Sequence, residues 1–345
     1  MRKPGTRELS GLFSRSLLVT VGVLAALIGL MVVMDIGFVS AYNVRNILRW
    51  TGLFGILSVG VSIVIMTGGV DLSVGSVVAL VGGLCVYYLT VRGMPVPVVL
   101  IGCLVVSIVI GVIHGFLVSV LRIQPFVVTL CGLFVYRGIA RFIMGDLNLG
   151  YGSGFTGLKI LASGRFPALL FSPENTPAWL SAWSIPMPFL ILLVLSLLLG
   201  LFLRNTVYGQ FLVAVGSNES AVVFSGINPI GIKLTAYAIS SVCAGLAGVL
   251  FSLHLNSVQP STAGNMYELY AIAGCVVGGL SLKGGEGSLA RVILGTGIVR
   301  VLYNVISIAG ISTVLESTLI GLVILAAVSM EALSAKRKRF HFTVH

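Results

Sequence analysis

Three carboxylates and one arginine stand where this sequence is otherwise oily. Asp71, Glu268 and Glu316 lie within or at the edge of long apolar runs, and Arg300 lies inside one. Ionisable groups in such surroundings are expensive to keep, so each is a candidate for function or for a specific structural partner. Asp71 sits in Thr67-Gly-Gly-Val-Asp-Leu-Ser-Val-Gly-Ser76. Gly68 and Gly69 free the backbone to break a helix, and Asp71 can cap the next one by accepting its orphan N–H groups. A helix broken at depth also exposes backbone polar groups to a passing solute, and capping would hold that break in place. Glu268, between Tyr267 and Tyr270, reads either as an interface residue flanked by anchoring tyrosines or as a carboxylate able to accept from hydroxyls. Arg300 and Glu316 are placed to pair across a short hairpin, a structural role. Gln124 precedes Pro125 at a helix start, where proline suits the first turn.

Other chemistries are missing from the chain. No phosphate-binding loop is present, since Gly284-Gly285-Glu286-Gly287-Ser288 has no lysine at the required place. His114 and His254 are far from each other and from His341 and His345, and there is no H-E-x-x-H or G-x-S-x-G. The five cysteines (Cys85, Cys103, Cys131, Cys243, Cys275) all lie in apolar runs without metal-ligand spacing. Neither an enzyme nor a metal site is expected. Few carboxylates lie at depth, so a proton relay is not expected either, and the energy for any transport would come from another subunit.

The elements that must position these residues are membrane spans. Of 345 residues, 57% are hydrophobic and 9% charged, with mean hydropathy +1.10. A soluble domain carries about a quarter charged residues. The expected fold class is all-α, a polytopic transmembrane bundle of about ten spans at 17–34, 51–67, 72–90, 96–120, 125–143, 185–203, 234–254, 269–282, 289–309 and 312–330. The run 17–34 is too long for a signal-peptide core and reads as a retained anchor. Thirteen basic residues fall on one side of this arrangement and seven on the other, which puts both termini in the cytoplasm. The net charge of +11 fits that bias and anionic lipid; its basic residues do not form the face a nucleic acid would need.

The single transmembrane domain, 1–345, then has cytoplasmic tails at 1–16 and 331–345. An outer loop spans 145–184, with Trp179 and Trp183 as interface anchors or as part of a docking surface. The cytoplasmic loop 204–233 holds a helix start at Ser217-Asn218-Glu219-Ser220 and a stop at Gly226. A helix of about two turns near 219–225 would expose Val222, Val223 and Phe224, either to its own bundle or to a groove in a partner.

From about residue 38 to 329 the chain resembles the permease subunits of bacterial ABC importers for monosaccharides, of the ribose/xylose/arabinose type. Gly68-Gly-Val-Asp71-Leu-Ser-Val-Gly75-Ser76 carries most of the likeness. Pro125-Phe-x-x-Thr-Leu130 with Tyr136-Arg-Gly138, Ala214-Val-Gly-x-Asn-Glu219 with Ser225-Gly-Ile227, and Ala244-Gly-Leu-Ala-Gly248 follow in order. Tyr267-Glu-Leu, Ala271-Ile-Ala, Val277-Gly-Gly and Ser281-Leu-x-Gly-Gly285 complete it. Tyr270 stands where the family usually has aspartate.

The resemblance implies an inner-membrane importer. Its partners would be a periplasmic sugar-binding protein, a second permease copy or paralogue, and an ATP-binding subunit that carries ATP and magnesium. It also implies that Gly216, Asn218, Glu219, Phe224 and Gly226 form the region coupled to the ATPase. Asp71, Ser73, Ser76, Gln124, Glu268 and Asn304 are the expected solute pathway, since neutral and acidic hydrogen-bond partners suit hydroxyls. A carrier or channel that works without an ATPase is the alternative.

Overall fold

The computed structural model describes residues 39–168 and 183–310, together with isolated positions beyond them. The expected spans 17–34 and 312–330, both tails, Trp179 and Glu316 lie outside the described residues, apart from isolated positions in the two spans.

The described chain is helical. In order it forms α1 (Ala41–Met66), α2 (Val74–Thr90), α3 (Val96–Ser119) and α4 (Pro125–Met144). Then come β1 (Leu149–Gly150), α5 (Thr156–Ser163), β2 (Arg165–Phe166), β3 (Ile185–Pro186) and α6 (Met187–Asn205). The cytoplasmic stretch of the sequence reading holds α7 (Val207–Ser217) and α8 (Glu219–Phe224), and α9 (Pro229–Leu255), β4 (Ser257–Val258), α10 (Tyr267–Val277) and α11 (Leu289–Ile308) follow. Among the described residues, α1, α3, α4, α6, α9 and α11 are long and apolar enough to cross a membrane. This is a polytopic helical membrane protein.

Local chemistry sets the helix ends. Ser40 caps α1 by accepting from the Asn43 N–H at 3.3 Å. That start lies well before the apolar run at 51, because Asn43, Arg45 and Arg49 break the hydropathy signal without breaking the helix. Proline opens α4 and α9, where its missing N–H removes no helical bond. Asn228 accepts from the Ile230 N–H at 3.0 Å and moves the start of α9 ahead of residue 234. Where the sequence suggested one short helix within 204–233, there are two. Thr206 accepts from the Gly209 N–H at 3.0 Å and starts α7, which its apolar residues had disguised as loop.

The interior is built from α1, α2 and α9, with α10 and α11 packed on α1. Gly82 of α2 faces Gly248 of α9 so closely that the Gly248 carbonyl occupies the space a side chain would need. Backbones approach this way when packing, not water, drives association. The periphery is the reverse. Ile101, Leu104, Ile108 and Val112 on α3, and Leu197 and Leu198 on α6, are exposed, as suits lipid. Two small antiparallel ladders tie the loops: Leu149 and Gly150 pair with Val258 and Ser257, and Arg165 and Phe166 pair with Pro186 and Ile185.

Candidate functional site

The first centre is the interruption between α1 and α2. Gly68 N–H bonds to the Ile65 carbonyl at 2.8 Å and Gly69 N–H to Val64 at 3.1 Å, closing the helix. Gly68 takes φ +80, which a side chain would resist. Residues 68–73 are not helical, and α2 then begins at Val74. At 17 residues it is about 25 Å long, short of a hydrocarbon layer of about 30 Å.

Asp71 is wholly buried in that segment. Its Oδ1 accepts from the Ser73 N–H at 3.0 Å and the Ser73 hydroxyl at 2.6 Å. Its Oδ2 accepts from Ser240 Oγ of α9 at 2.8 Å. Ser76 Oγ donates to the Ser73 carbonyl at 2.7 Å. Asp71 thus makes a turn just ahead of α2, whereas Ser73 holds the N-cap position. The Val70 carbonyl accepts from Thr129 Oγ1 at 3.3 Å and lies 3.5 Å from the Tyr237 hydroxyl. Nearby, His114 Nε2 and the Tyr136 hydroxyl are bonded at 2.9 Å. Ser240, Tyr237 and His114 were not legible as site residues. Each lies in a largely apolar helix, and only packing brings it to the break.

The second centre is the start of α10. This helix has 11 residues, about 16 Å, so it is a half-span. Arg137 of α4 donates to the carbonyls of Pro260 and Ala263 and holds that loop inward. The loop brings Gly264 and Glu268 onto Gly75, in the first turn of α2, with no room there for a methyl group. Glu268 is only 8% exposed, and its Oε2 has no hydrogen-bond partner among the described residues. Two short helices therefore start side by side, with Asp71 just ahead of one and Glu268 in the first turn of the other.

The other expected pathway residues lie apart. Gln124 is exposed at the N-cap of α4 and makes no side-chain bond to that helix. Asn304 of α11 exchanges two amide bonds with Asn43 of α1, at 2.8 and 2.7 Å. Arg300 lies over the rings of Phe54 (3.8 Å), Tyr303 (4.4 Å) and Tyr270 (5.3 Å). Tyr270, in the place of the expected aspartate, thus meets the arginine through its ring.

The expected coupling residues come together. Asn218 caps α8 by accepting from the Ala221 N–H at 3.0 Å. Lys233 Nζ bonds both oxygens of Glu219 at 2.7 Å. Gly226, at φ +79, closes the helix with its N–H on the Val223 carbonyl. Phe224 is left 91% exposed and Val223 beside it half exposed. Gly216 lies at the end of α7, two residues before Asn218.

Among the described residues no cluster of His, Cys, Asp or Glu could hold a metal ion. The arrangement suits a conduit. Residues 43–328 match the family described as branched-chain amino acid transport system / permease component. The chain belongs to this permease family. The permease is 34% identical to the xylose transport system permease protein XylH of Escherichia coli, over 97% of this chain and 96% of the relative. It is 35% identical to the ribose import permease protein RbsC of Haemophilus influenzae, over 88% of this chain and 90% of that one. RbsC of Bacillus subtilis is 31% identical over 87% of each. No solved structure matches the permease. It is a multi-pass inner-membrane transport subunit and not an enzyme.

Proposed function

We propose that this permease is the membrane subunit of an ATP-driven importer that moves a monosaccharide, or a similar polyhydroxylated solute, from a periplasmic binding protein to the cytoplasm. Relatives named for xylose and ribose support the solute class. The observation that carries the ATP-driven part is α8. A capped, ion-paired helix of six residues presents Phe224 at 91% exposure. A large apolar side chain held rigidly in the open is what a groove in a partner would grip. That partner is the ATP-binding subunit, where ATP and magnesium bind.

The remaining topology follows from the same reading. With α2 and α10 counted beside the six long helices, spans 17–34 and 312–330 bring the total to ten and leave both tails in the cytoplasm. Two permease copies, or one copy and a paralogue, enclose the path. ATP binding pulls α8, the bundle tilts, and the path opens on alternate sides. Ser73 and Ser76 now bond inward, to Asp71 and to the Ser73 carbonyl, and opening the break frees them for solute hydroxyls. Glu268 Oε2 offers an acceptor at the same level. Gln124 and Asn304 serve towards the two ends.

Reconstitution tests this. Proteoliposomes holding the permease, its ATP-binding subunit and its binding protein should take up sugar only with ATP. Uptake by the permease with no ATPase present would replace this reading with that of a stand-alone carrier or channel.

A further inference from the structure

The backbone of α7, which leads into α8, rests at once on the end of α1 and on the loop that follows α10. Gly216 lies against the carbonyl of Met66, the last residue of α1, with no space for a methyl group between them. The same carbonyl accepts from the Gly285 N–H at 3.0 Å. Ser217 Oγ donates to the Gly285 carbonyl at 3.0 Å. Gly284, one residue earlier, has its backbone packed on Gly68, at the break itself. Residues 278–288 join α10 to α11, so this loop is the far end of the α10 half-helix.

We propose that Met66, Gly216, Ser217 and Gly285 form the joint that transmits movement of α7 and α8 to the α1–α2 break and to α10 together. The proposal rests on the coupling reading of α8. Its physical basis is the kind of contact. Side chains absorb a displacement by changing rotamer, but backbone packed on backbone has no such slack. The path is also closed. From Gly216 it passes through Met66 and residues 68–73 to Gly75 of α2, then to Glu268 of α10, and through Gly285 back to Ser217. A shift at α7 therefore moves both half-helix starts in concert. The direct tie between α8 and α9 is different, a side-chain ion pair of Glu219 with Lys233.

The test uses the complete importer in proteoliposomes and reads solute moved per ATP hydrolysed. Ser217→Ala should keep hydrolysis and subunit assembly but lower that ratio by about fivefold or more. Ser217→Thr, which keeps the hydroxyl, should restore it. A merely structural role would lower the amount of complex and both rates together, leaving the ratio unchanged. An unchanged ratio in assembled Ser217→Ala complexes, a change that adds no atom, overturns the joint while sparing the coupling reading. Full assembly and coupling with Phe224→Ala would instead remove the coupling reading.

Discussion

Ser240 donates to Asp71 at 2.8 Å across a separation of 169 residues, and this bond fastens the interrupted segment to α9. The acceptor is a carboxylate with no exposure to water, so losing a donor leaves charge uncompensated. Ser240→Ala should lower stability by about 1.5–3 kcal/mol, the range for hydrogen bonds to charged groups. Ser240→Thr should keep most of it. Thermal unfolding of the purified permease in detergent reads the difference. Equal midpoints for Ala and wild type would mean that Asp71 is held by Ser73 alone.

Asn43 and Asn304 form a reciprocal amide pair between α1 and α11. A double-mutant cycle with leucine at each position should give a coupling energy of about 0.5–1.5 kcal/mol, as for other hydrogen bonds between membrane helices. Zero coupling together with loss of uptake in the Asn304 variant would assign Asn304 to the pathway and not to the pair.

Phe224 should matter to assembly and not to folding. Phe224→Ala should weaken binding of the ATP-binding subunit by about 30-fold, near 2 kcal/mol, as for a buried anchor of an interface. The unfolding midpoint of the permease should not move, because the side chain is 91% exposed in the free chain. Glu219→Gln is expected to change stability by less than about 1 kcal/mol, since the pair with Lys233 is partly solvated. Pull-down titration and unfolding curves check both.

Glu268 separates shape from charge. Glu268→Gln keeps the volume beside Gly75 but loses a charged acceptor. The concentration of sugar-loaded binding protein needed for half-maximal uptake should rise about tenfold or more, from the strength of hydrogen bonds to charge. Unaltered uptake kinetics in Glu268→Gln would make the residue a packing element of α10.

Much of the bundle was readable before any coordinates. A bilayer demands long apolar runs, and 96–120, 125–143 and 289–309 reappear almost unshifted as α3, α4 and α11. The capping pattern around Asn218 and Gly226 located α8 to within a residue, because caps are local chemistry. Errors arose where hydropathy and helicity part company. The first turns of α1 carry arginines, and α7 is apolar without being a span.

The sequence by itself determined that the chain lives in a membrane, that residues 68–71 interrupt a helix, and that 219–225 carries a short one. Each of these follows from composition or from neighbours a few residues apart. Only the tertiary structure decided that Asp71 bonds to Ser240, that Glu268 rests on Gly75, and that Gly216 bears on Met66 and Gly285. Those meetings join residues of ordinary type that lie far apart in sequence. Packing selects them by shape, with small residues where backbones touch, and no local pattern announces which glycine or serine will find which partner.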